Sequence, residues 1–96
     1  MTRTEILLTV LGEECVETAQ RVSKAIRFTP EEIQPGQELT NAERIVYEFN
    51  DILACMEILE AEGILKGVID RDSVDKKKAK IEKYLNYSAE LGAYRE

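Results

Sequence analysis

An all-α fold of antiparallel helices is what this sequence predicts, on three observations. Apolar residues recur at three- and four-residue steps through three long stretches. Only two prolines and five glycines occur, most of them between those stretches. Capping residues stand where the stretches begin or end. With 96 residues the chain fits a single domain, 1–96, whose small core invites extension by self-association.

The first helix is expected from about Thr4 to Arg27, with Leu8, Leu11, Cys15, Ala19, Val22 and Ile26 as its core face. In "FTPEEIQPGQELT", Thr29 reads as a cap with Pro30 at a first helical position, and Pro35-Gly36 stops whatever turn begins there. The segment is therefore expected to be a loop carrying one short helical turn. The second helix opens with Thr40 as N-cap and Glu43 three residues on, a capping box, and closes at Gly63. After the link "ILKGVI", a third helix has capping candidates at Asp70 and Asp72 and an apolar row of Val74, Ile81, Leu85, Ser88 and Leu91, and ends near Gly92. No internal repeat is present, and "KKKAK" is the only biased tract.

Composition narrows the function classes. Hydrophobic residues make up 44% of the chain, enough for a packed core, while 33% are charged with a net of −6. An acidic chain is poorly suited to a nucleic-acid polymer, whose affinity comes mainly from Lys and Arg neutralising phosphates. A small phosphate compound held through a metal is not excluded. The apolar runs fall far short of the roughly 20 residues that span a bilayer, and acids interrupt "MTRTEILLTVLGEE", so neither a membrane span nor a secretory signal is expected. The expected location is the cytoplasm. Cys15 and Cys55 each lie among apolar helical residues, where a reduced cysteine acts as a small hydrophobe; their count neither implies nor excludes a disulfide.

The acids carry the chemistry. On the second helix Ile45, Phe49, Ile52, Met56 and Leu59 form one broad apolar face, and Glu48 projects into it, with Asp51 at its edge. A carboxylate aimed at a core needs a cation or hydrogen-bond donors. On the first helix Glu13, Glu14 and Glu17 crowd into a turn and a half, and Glu14 with Glu17 repeats the spacing of Glu48 with Asp51. Packed antiparallel, the two helices can turn these pairs toward each other. Four converging carboxylates repel strongly, so Glu14, Glu17, Glu48 and Asp51 make sense chiefly as a cation cage. The chain has no histidine, and oxygen ligands select hard ions, Mg²⁺ or Mn²⁺, over zinc. The plainer alternative is that acids at this spacing are solvated, with Glu17 and Arg21 as a surface ion pair.

"EECVE" (Glu13 to Glu17) followed by "EFND" (Glu48 to Asp51) resembles the E-E-x-x-E and E-x-x-D motif pair of the all-α nucleoside triphosphate pyrophosphohydrolases, of which MazG is the best-known branch. The likeness runs from about Leu7 to Gly63. It implies hydrolysis of a nucleoside triphosphate between the α and β phosphates, giving a monophosphate and pyrophosphate, with Mg²⁺ held by Glu14, Glu17, Glu48 and Asp51. Glu13, Glu14 and Glu17 are the implied catalytic set, Glu13 at most orienting a water. No histidine can serve as general base, so a carboxylate must. Cations for the triphosphate are sought at Arg21 and Lys24 on the first helix and at Lys76, Lys80 and Lys83 on the third, with Tyr84 as a candidate for stacking a base; lysine runs are otherwise solvated. The third segment meets the family pattern only loosely.

The second helix is apolar around more than half its circumference, with Tyr47, Ala54 and Ile58 outside the main stripe, which implies burial on a second side. A homodimer completing four-helix bundles is the economical solution, and the resemblance implies a homodimer or homotetramer. Phosphoribosyl-ATP pyrophosphatase is a related alternative, set lower because that branch carries a glycine-bearing segment ahead of its first helix. A non-enzymatic helical oligomer is the alternative of another class, and an inward Glu48 argues against it.

Overall fold

The structure, a computed structural model, describes residues 1–94, and these form three helices: α1 (Arg3–Phe28), α2 (Asn41–Ala61) and α3 (Arg71–Glu90). The only strand-like pairing among them is an isolated antiparallel bridge between Ile33 and Thr40. Caps set the boundaries. The Thr2 hydroxyl accepts from the Glu5 N–H at 3.1 Å. At α2 the expected capping box forms, with the Glu43 N–H donating to Thr40 Oγ1 at 3.1 Å and the Thr40 N–H donating to Glu43 Oε1 at 3.0 Å. Asp70 caps α3 by accepting from the Ser73 N–H at 3.2 Å.

Helix α2 ends in a Schellman turn: Ile64 N–H donates to Leu59 O and Gly63 N–H to Glu60 O, both at 3.0 Å, with Gly63 at φ +78°. Only glycine takes that backbone geometry without strain. Helix α3 ends the same way, with Ala93 N–H donating to Ser88 O at 2.9 Å.

The connection between α1 and α2 differs from expectation. No helical turn forms after Thr29; Pro30 and Glu31 make a plain turn instead. The reason lies at the start of α2. Its first N–H groups have no partner inside the helix and take them from the loop: Asn41 N–H donates to Glu32 O and Ala42 N–H to Pro30 O, both at 2.9 Å. The Asn41 side chain, 2% exposed, adds bonds from Nδ2 to Thr29 O at 2.8 Å and to Glu32 Oε1 at 3.0 Å. Loop carbonyls that serve α2 in this way are not free to build a turn of their own. Thr29 is held at φ +74°, a region that a β-branched residue rarely occupies.

Helices α1 and α2 lie side by side and antiparallel. Asn41 ties the end of α1 to the start of α2, and Arg3 binds Glu62 at 2.9 Å at the opposite end. The buried core between them is small: Ala25, Cys55 and Leu59, the last fully enclosed. The face of α1 that meets α2 carries Leu7, Val10, Leu11, Glu14, Thr18, Arg21 and Ala25, all half-buried or buried. This corrects the expected core stripe, of which Leu8, Cys15, Ala19, Val22 and Ile26 are exposed and only Leu11 is shared. The periodicity was real, but it marked a second apolar flank; the face turned to α2 includes polar residues that a hydropathy pattern discounts. One chain supplies three helices and packs only two of them together, so no four-helix core forms within it.

Candidate metal centre

Antiparallel packing brings the two acidic motifs together. One carboxylate oxygen from each of Glu14, Glu17 and Glu48 lies within 4.8 Å of the others. Glu14 and Glu48 are half-buried between the helices, while Glu17 is exposed at the edge. Each arrives there by helical spacing: Glu14 and Glu17 are three residues apart on α1, and Glu48 sits seven residues before buried Cys55, two turns along the same face of α2.

The electrostatics match the geometry. Burial, first of all, pushes the Glu14 carboxyl above its ordinary range, with the charges of Glu17, Asp51 and Glu48 adding to it. Glu48 is raised in the same way, by burial and then by Glu17 and Asp51, with Arg21 opposing. Asp51 stands outside the set of three but close enough to act on both half-buried members. Cys55 lies beside the cluster, its thiol raised by burial and by Glu14 and Asp51; both cysteines are free.

Two features distinguish this cluster from a solvated acidic patch. Glu14 Oε2 and Glu48 Oε2 are buried, and neither has a hydrogen-bond partner. Buried anionic oxygens are rarely left so. The expected alternative, an ion pair between Glu17 and Arg21, does not form: among the described residues the ion pairs are Arg3 with Glu62 and Arg71 with Asp75. Arg21 is instead half-buried, with Nε and Nη1 buried and likewise unpartnered. Oxygen donors converging without a donor of their own fit a hard divalent cation.

The other expected site residues are placed as follows. Glu13 is exposed and lies along a shallow depression with Thr9, Gly12, Val16 and Glu17, outside the cluster. Lys24 is half-buried on α1, one turn beyond Arg21. Lys76, Lys80, Lys83 and Tyr84 are exposed on α3, which does not pack on the α1–α2 hairpin, so the fold of one chain does not bring them to the cluster. Sequence reasoning missed Asn41. Its signal was its position directly after the Thr40 cap, where a side-chain amide can reach back to loop carbonyls. Compared with protein-family models, with curated proteins and with solved structures, the chain gives no match.

Proposed function

We propose that this chain is an Mg²⁺-dependent nucleoside triphosphate pyrophosphohydrolase. The observation that carries the reading is the pair of buried, partnerless carboxylate oxygens on Glu14 and Glu48 with Glu17 in reach. The motif resemblance supplies the substrate class. Glu14, Glu17 and Glu48 would hold the cation with Asp51 beside them, and Mn²⁺ fits the same donors. When bound, a divalent ion neutralises phosphate charge and orients the reacting groups.

The chain's own residues have separate tasks. Arg21 offers two buried N–H donors next to the cluster, suited to phosphate oxygens. Hydrolysis adds water across the α–β phosphoanhydride: the bond to the leaving pyrophosphate breaks, and a carboxylate takes the proton of the water. We assign that role to Glu17, the exposed member of the cluster. Among the described residues no helix is long and apolar enough to cross a membrane.

The test is pyrophosphate release from canonical and modified ribo- and deoxyribonucleoside triphosphates and phosphoribosyl-ATP, each with and without Mg²⁺. Turnover that needs the metal and is lost in Glu48→Gln supports the proposal. Glu48→Gln should keep its helices and melt higher than the parent in chelator, because a repelling charge is gone. A Glu48→Gln protein that hydrolyses like the parent overturns the assignment of the ligands.

A further inference from the structure

One chain leaves too much surface uncovered. Its accessible area is 7524 Å² at 10.9 kDa, whereas a compact monomer of that mass exposes about 5,600 Å². The excess is about 1,900 Å². Its radius of gyration is 16.8 Å against about 12 Å for a compact domain of this length. Stable obligate dimers bury about 1,000–2,500 Å² per partner, so the excess is what a second copy would cover.

Two apolar rows contribute to it. On α1 the exposed flank of Leu8, Cys15, Ala19, Val22 and Ile26 spans about 27 Å at 1.5 Å per residue. On α3 the row from Val74 through Ile81 and Leu85 to Leu91 spans about 25 Å. The lengths match. Beyond Val74 in its first turn, helix α3 packs on neither α1 nor α2, yet most of the stability of a helix in a protein comes from laying its amphipathic face on a surface. Its own hairpin is not offered that surface. The link before α3 is pinned to α2, where the Val68 N–H donates to Glu60 Oε2 at 2.9 Å. Val68 and Val74 close a groove against Phe49, Leu53 and Met56, and α3 leaves the hairpin from that root.

We propose that two copies of this chain exchange α3, each laying its Val74–Leu91 row along the exposed Leu8–Ile26 flank of α1 in the other. This goes beyond the dimer implied by the motif resemblance and does not depend on the enzymatic reading. It also leaves the acidic cluster open. On α1, Glu17 turns about 60° to one side of Glu14, whereas Val22 and Cys15 turn about 80–100° to the other. A partner seated on the flank therefore covers the side away from the carboxylates.

Light scattering on the eluting protein measures the mass, with an even multiple of 10.9 kDa expected for the parent and for Glu48→Gln. Ile81→Asp with Leu85→Asp should return the mass to one chain, and so should Val22→Asp with Ile26→Asp, with most of the circular-dichroism helicity retained. A milder variant, Ile81→Cys, keeps the packing and reports contact with native Cys15 through a flexible bis-maleimide. A cross-linked pair of chains that disappears when Cys15→Ser is added supports the exchange. A parent of single-chain mass overturns the proposal. So does an oligomer that survives Ile81→Asp with Leu85→Asp, or a cross-link closed within one chain.

Discussion

Asn41 ties the loop after α1 to the start of α2, and replacing it tests that connection. Its Nδ2 donates to Thr29 O at 2.8 Å and to Glu32 Oε1 at 3.0 Å from a position only 2% exposed. A neutral hydrogen bond of this kind is worth about 1 kcal/mol and one to a charged acceptor about 1.5–3 kcal/mol. Asn41→Ala removes both and leaves the Thr29 carbonyl short of a donor, so the expected loss is about 3 kcal/mol. For a chain of this size that lowers the melting temperature by roughly 12 to 24 °C. Asn41→Asp is the sharper probe. It keeps the shape but places an acceptor against two acceptors, so it should destabilise at least as much as alanine. Urea unfolding followed by circular dichroism, at one fixed protein concentration because association would shift the apparent stability, gives both values. An Asn41→Asp protein as stable as the parent would show that the site is held by packing alone, and the account of the connection given above would fail.

Two further expectations follow from the same geometry. Glu14 and Glu48 hold protons more tightly in the folded chain than in the unfolded one, so their contribution to stability is present below the ordinary carboxylate pKa of about 4.3 and is lost as pH rises through their raised values. Glu43 is lowered by its bonds to Thr40, so its opposing contribution is lost only as pH falls below the ordinary value and does not enter the higher window. In chelator the urea midpoint should therefore fall as pH rises above the ordinary carboxylate value, and saturating Mg²⁺ should remove the decline; a midpoint that is flat or rising over that window in chelator contradicts the cluster's electrostatics. Separately, Thr29→Gly should stabilise by about 1 kcal/mol, the relief of strain at φ +74° exceeding the entropy that glycine adds to the unfolded chain, and a loss of stability in the same urea assay would refute the strain.

Much of this was legible in the residues. Thr40, Glu43, Gly63, Asp70 and Gly92 placed the ends of α2 and α3 because caps are local chemistry, satisfied by neighbours three to six positions away. The meeting of Glu14, Glu17 and Glu48 was legible for a related reason: matched i, i+3 spacings on two consecutive helices need only antiparallel packing to converge. The direction of α1's core face was not legible. Its apolar residues cover a wide arc, and which edge of that arc meets α2 depends on Asn41, Glu32 and Pro30, whose bonds span up to a dozen positions. The same non-local bonds removed the helical turn expected after Thr29. Helix α3 was legible as a helix, but its standing apart was not, because amphipathicity says that a face needs covering without saying which chain supplies the cover.

The hairpin gives a central part of its interface to two carboxylates rather than to apolar side chains. Leu59 is the only large side chain that it encloses fully, and Cys55 and Ala25 add little volume. An interface that holds half-buried, partnerless anions beside so small a core gives away stability that a leucine at position 14 or 48 would supply, as replacements of buried charge by apolar residues have done elsewhere. Such an arrangement persists only if something outside the hairpin restores the balance. Two sources would do so, on opposite flanks of α1: a cation bound by the folded cluster would stabilise by mass action, and a second copy covering the Leu8–Ile26 flank would do the same with apolar area. Because Glu17 faces one way and Val22 the other, neither source obstructs the other. A scaffold could rely on the second source alone, but it would have no use for the first, and the buried oxygens of Glu14 and Glu48 are the part of this chain that association by itself leaves without a physical reason.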